Sequence, residues 1–194
     1  MQACRLAAND LACRRGDRVL FSGVGFALEA GGALHVIGPN GVGKSSLIRI
    51  VAGLMRPFAG SVDISGTVGL LDERHALDPA RPLDKALAFW NRLDGNKQSA
   101  DTIDRLGLAP LMDVPVRYLS TGQRKRAALA RLAAQGAGVW LLDEPFNGLD
   151  SEAAAVVEHL VAEHCGSGGV ALIASHQPFA LAGMTSLPLA EHVR

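Results

Sequence analysis

The segment Gly38-Pro39-Asn40-Gly41-Val42-Gly43-Lys44-Ser45-Ser46 limits what this chain can fold into more than any other feature. It fits the pattern GxxxxGK[ST], in which glycines let backbone N–H groups wrap phosphate oxygens and a following helix turns its positive end towards them. The geometry needs a strand before the loop and a helix after it, and both are written in the sequence. Residues 33–37 (ALHVI) form a short strand-like run, and Leu47, Ile48, Ile50, Val51 and Leu54 continue at helical spacing. With 22 glycines among 194 residues, a chain of this composition matches the pattern by chance roughly 0.004 times. A glycine turn that merely caps a helix is therefore the weaker reading. In the stronger one Lys44 reaches the β and γ phosphates and the Ser45 hydroxyl binds Mg²⁺.

Two further apolar runs are punctuated in the same way. Residues 139–142 (VWLL) lead into Asp143-Glu144-Pro145, and residues 170–174 (VALIA) lead into Ser175-His176-Gln177-Pro178. Each predicted strand thus delivers polar residues at its C-terminal end, where open α/β sheets hold their ligands. Between the last two runs, Ala153, Val156, Val157, Leu160, Val161 and His164 make one helical face, with Asp150 or Ser151 as its N-cap. Residues 72–111 differ in character: they contain Pro79, Pro82 and Pro110, helical pieces around 83–90 and 101–106, and no convincing strand. The expectation is one α/β domain over 1–194, with a helical lobe inserted at about 72–134.

Charge and composition close off other classes. Lysine plus arginine and aspartate plus glutamate each number 19, for a formal charge of +0, which argues against the sequence-independent phosphate binding of basic nucleic-acid proteins. A 48% hydrophobic composition supports a buried core and excludes disorder. The cysteines Cys4, Cys13 and Cys165 contain no CxxC pair and read as reduced cytosolic thiols. The N-terminal stretch carries Arg5, Asp10, Arg14 and Arg15, unlike a signal peptide. The longest uncharged stretch, 166–190, is too polar to span a bilayer. Work at a membrane would require another chain as anchor.

The candidate chemistry lies at the strand ends. Asp143 and Glu144 suggest a division of labour, in which one carboxylate holds Mg²⁺ and the other polarises the attacking water. Ser120-Thr121-Gly122-Gln123 is a capping box at the head of a helix running towards Ala134. The same geometry makes a second anion site that the chain's own phosphate loop need not use. His176 and Asp150, taken alone, read as a hydrogen-bonding histidine and a helix N-cap.

Taken in order, the phosphate loop, LSTGQ, VWLLDEP, NGLD and SHQ resemble the nucleotide-binding domain of the ABC ATPases, over nearly the whole chain. The resemblance implies a P-loop core with an inserted helical subdomain. It also implies a head-to-tail homodimer, in which ATP and Mg²⁺ bound by residues 38–46 of one subunit are completed by Ser120, Gly122 and Gln123 of the other. By the same carry-over Glu144 is the general base, His176 the γ-phosphate contact, Asp143 the Mg²⁺ partner of Ser45, and Asp150 a contact across the dimer. The opening RRGDRVLFSG, the lobe segment ALDPARPLDKALAFW and the ending SHQPFALAG are similar to the haem-exporter ATP-binding subunits of cytochrome c maturation systems. That narrower resemblance implies ATP hydrolysis coupled to haem delivery, an integral membrane partner, and a peripheral place on the cytoplasmic face of a bacterial inner membrane. Neither direct haem binding nor nucleic-acid binding is expected.

Three positions depart from the family pattern. Where an aromatic residue usually stacks on adenine, the sequence reads Cys13-Arg14-Arg15, and either guanidinium is planar enough to stack instead. The glutamine expected between core and lobe is missing from Leu70-Leu71-Asp72-Glu73-Arg74-His75, and Gln98 comes too late; Asp72, Glu73 and Arg74 are the possible substitutes. Thr121 fills a position often held by a smaller residue. The alternatives to a haem-system role are a soluble ABC ATPase, such as an iron–sulfur cluster assembly factor, and a transporter subunit for another cargo.

Overall fold

A computed structural model describes residues 3–96 and 99–193. Its centre is a five-stranded parallel sheet in the order β5-β6-β7-β3-β8, comprising β3 (Ala33–Ile37), β5 (Val68–Leu71), β6 (Val139–Asp143), β7 (Val170–Ala174) and β8 (Thr185–Pro188). β6 and β7 are buried at every residue, as uninterrupted apolar runs must be in a parallel sheet covered on both faces. Alternation assigns the two faces. Val139 and Leu141 join one core with Leu34, Val36 and the helix α1 (Lys44–Val51), whereas Trp140 and Leu142 join a second with Val157, Leu160 and Val161 of α5 (Ser151–Gly166).

The first core is closed by an antiparallel sheet, order β2-β1-β4, made of β1 (Arg5–Arg15), β2 (Arg18–Leu28) and β4 (Ala59–Ser65). Leu6, Ala8, Leu11, Phe21 and Val24 face inward from it. None of these three strands, nor β5 or β8, is singled out by the sequence reading.

The chain between β5 and β6 is helical, as expected. It comprises α2 (Leu83–Asp94), α3 (Ala100–Arg105), two 3-10 turns and α4 (Thr121–Ala134), with no strand among the described residues. Leu83, Leu87, Ile103, Leu106, Leu108 and Leu129 bury together and continue the second core. α4 begins at the anticipated capping box: the Gln123 N–H donates to Ser120 Oγ at 3.2 Å, and the Ser120 N–H donates to Gln123 Oε1 at 2.8 Å. α5 begins at Asp150, whose Oδ1 accepts from the Ala153 N–H at 2.8 Å.

Candidate functional site

The C-terminal ends of β3, β6 and β7 converge on one cavity of about 490 Å³, as the sequence reading expects. β3 supplies the loop 38–43, which turns into α1 at Gly43. This residue has φ 116°, and a Cβ there would press within 3.0 Å of the Phe21 ring, so only glycine fits the turn. Lys44 is buried at the head of α1, and its ammonium donates to the carbonyls of Gly38 (2.7 Å) and Pro39 (3.3 Å). It also pairs with Glu144 Oε1 at 3.4 Å.

β6 supplies the two carboxylates. Asp143 is 4% exposed and its Oδ1 accepts the Ser45 hydroxyl at 3.0 Å. Burial pushes its carboxyl above the usual carboxylate range, with the Ser45 hydrogen bond and Arg49 pulling the other way. Among the described residues no cation forms an ion pair with it. A hydroxyl and a buried carboxylate with no ion-pair partner, side by side, are a hard-oxygen donor pair that suits Mg²⁺. Among the described residues no cluster of three or more His, Cys, Asp or Glu could hold a metal.

Glu144 turns the other way. Its Oε2 lies 2.8 Å from His176 Nδ1, carried past the end of β7, while Oε1 faces Lys44. The carboxylate therefore sits between the loop's ammonium and the histidine, at the mouth of the phosphate cradle.

Among the residues the sequence left open, the antiparallel sheet separates Arg14 from Arg15. β1 and β2 join through the two-residue turn Gly16-Asp17, and successive side chains leave on opposite faces. Arg14 packs over the Phe58 ring at 4.9 Å, while Arg15 lines the cavity with Leu20. Among the substitutes for the missing glutamine, Glu73 lines the cavity; Asp72 instead accepts the Arg74 N–H at 2.8 Å. Gln98 lies outside the described residues. Arg49 and Asn147 also line the cavity, and the buried Lys125 reaches the Glu144 carbonyl from behind it; none of the three was anticipated. Arg49 had a legible signal, since it lies one helical turn after Ser45 on the same face of α1.

The site does not bring everything together. Ser120, Gly122, Gln123 and Asp150 line no part of this cavity, and the Gln123 carboxamide is committed to the cap. A larger cavity, about 590 Å³, opens at the opposite end of the sheet beside Trp140 and His164. Its described lining includes Gly136, Gly138, Gly168 and Gly169 but no lysine or arginine to meet a phosphate.

Residues 21–147 match the family model for ABC transporters. A cytochrome c biogenesis ATP-binding export protein CcmA from Novosphingobium aromaticivorans is 55% identical over 190 residues, 97% of each chain. A protein of the same name from Zymomonas mobilis is 46% identical over 97% of this chain and 86% of its own. Among solved structures, the ATP-binding subunit of an ABC transporter superposes with a TM-score of 0.82 at 21% identity, covering 95% of this chain and 86% of that one, which shows the shared fold.

Proposed function

The chain belongs to the ABC transporter family, within its cytochrome c biogenesis ATP-binding export proteins, and from that membership we propose that it is the ATP-hydrolysing subunit of a bacterial complex delivering haem for c-type cytochrome assembly. It is a nucleotide-binding ATPase. The observation that carries the residue assignment is Glu144 held between Lys44 and His176, at the rim of the phosphate loop.

In this reading the N–H groups of residues 38–46 and the Lys44 ammonium bind the β and γ phosphates, and the loop carbonyls that Lys44 now holds give way to phosphate oxygens. Glu144 orients and polarises the attacking water, and His176 steadies Glu144 while contacting the γ-phosphate. Ser45 and Asp143 hold Mg²⁺, which when bound neutralises charge developing on the phosphates. Glu73 stands where the family's glutamine is missing. The base extends towards Arg15 and Leu20, where the Arg15 guanidinium offers a stacking plane. Ser120 and Gly122 face the ATP of a second copy, with Gln123 fixing the Ser120 cap and Asp150 meeting the partner across the interface.

The complex would also contain an integral membrane subunit, as the relatives' naming as export proteins of the ABC transporter family supports; no helix among the described residues is long and apolar enough to cross a membrane. The chain would then sit on the cytoplasmic face of the inner membrane and handle ATP without touching haem.

The test is an affinity pull-down of Glu144→Gln from gently solubilised membranes with ATP and Mg²⁺, with co-purifying chains identified by mass spectrometry. Recovery of an integral membrane subunit together with cytochrome maturation proteins is the expected result. Recovery of only soluble cluster-assembly proteins would overturn the transport role and leave the ATPase.

A further inference from the structure

Lys125 is a charged side chain to which ATP hydrolysis as described gives no task. It lies on α4 beyond the Ser120 cap and is 3% exposed, a degree of burial that lysine almost never reaches without a built set of acceptors. Its ammonium donates to the Glu144 backbone carbonyl at 3.1 Å. The carboxylates of Asp143 and Glu144, at the end of β6, and of Asp72 and Glu73, beyond β5, surround it, with His75 nearby.

The acceptor is unusual. Glu144 has φ 48°, a left-handed backbone that a non-glycine residue keeps only when its surroundings hold it there. Its N–H is fixed by the Ala174 carbonyl at 2.8 Å, and its carbonyl accepts from both Lys125 and the Asn147 N–H, the latter at 3.3 Å. One of these three holds comes from a helix of the lobe. The same helix abuts the following loop a second time, where Gly122 meets the Gly148 carbonyl so closely that no Cβ would fit.

We propose that Lys125 is the positioning residue for Glu144. By gripping the Glu144 carbonyl it fixes the left-handed turn that aims the carboxylate between Lys44 and His176, and it ties the placement of that carboxylate to the position of α4. The inference rests on Glu144 being the group that polarises water. A displacement of the lobe then changes the hydrolytic geometry of its own subunit directly, through one hydrogen bond.

The experiment compares Lys125→Met, Lys125→Arg and Glu144→Gln in the full chain. It measures Mg-ATP affinity and the single-turnover hydrolysis rate at saturating ATP. Lys125→Met is expected to lose about tenfold or more in rate, as a misplaced catalytic group does, while affinity stays within about threefold. Lys125→Arg recovers most of the rate. Parent-like hydrolysis by Lys125→Met overturns the proposal. So does a joint loss of rate and affinity that Lys125→Arg does not restore, which marks a merely structural lysine. If the methionine variant does not fold, Lys125→Gln is read against the same outcomes. Parent-like hydrolysis by Glu144→Gln would instead remove the reading of the site on which the proposal stands.

Discussion

Asp143 occupies a place that a carboxylate left to itself would not choose, because burial opposes its charge and the Ser45 hydroxyl offsets only part of that cost. With the folded-state pKa raised above the unfolded one, its contribution to stability is present below the ordinary carboxylate range and is lost as pH rises through the raised value. Asp143→Asn should therefore raise the thermal midpoint of the ligand-free chain at neutral pH by a few degrees, with the gain shrinking towards acid. A lower midpoint at pH 7, measured by calorimetry, would contradict this. Lys44 makes the opposite bargain, holding loop carbonyls and Glu144 in readiness for phosphate. Lys44→Ala should lose roughly 30-fold or more in ATP affinity, the scale of about 2 kcal/mol for a buried charge contact. Titration with a fluorescent ATP analogue checks it, and unchanged affinity would remove Lys44 from the phosphates. His176 and Asp143 could be suspected from their place at strand ends. Lys125 could not, because nothing in a helical run of basic residues says which one turns inward to a carbonyl 19 positions away.

At the scale of elements, what was legible followed from burial. β3, β6 and β7 stand out because both faces are covered and all their residues but His35 and Asp143 are apolar, and the same strands carry the phosphate loop, the carboxylate pair and the histidine. β1 hides because its buried residues include the small Ala7, Ala8 and Ala12, and because a bulge at Asp10, with φ 49°, interrupts its alternation. β4 is mostly exposed, β5 contains Gly69 and β8 ends in Pro188, all features that weaken a strand pattern. That hidden sheet is the one that selects Arg15 over Arg14. The capping box of α4 was fully legible, and its two hydrogen bonds are local. Ser120→Ala should accordingly cost about 1 kcal/mol and lower the thermal midpoint by roughly 2–4 °C. An unchanged midpoint would mean that the cap does not hold the head of α4.

At the scale of the whole molecule, the cavity is lined by the phosphate loop, Glu144 and His176 but by none of Ser120, Gly122 or Asp150. A head-to-tail pair of copies accounts for this, since each would lend its α4 to the other's nucleotide. Mixing Lys44→Ala with Ser120→Arg, each inactive alone, should then restore hydrolysis. Statistical pairing leaves half the dimers mixed with one sound site each, so recovery should approach about a quarter of the parent rate. No recovery in the ATPase assay would argue that each copy works alone. The most direct measurement is on Glu144→Gln, following ATP hydrolysis and particle mass by light scattering in the same Mg²⁺-containing sample. The account predicts no turnover and a dimer that forms with ATP and persists. Turnover at the parent rate by a variant without that carboxylate would contradict it.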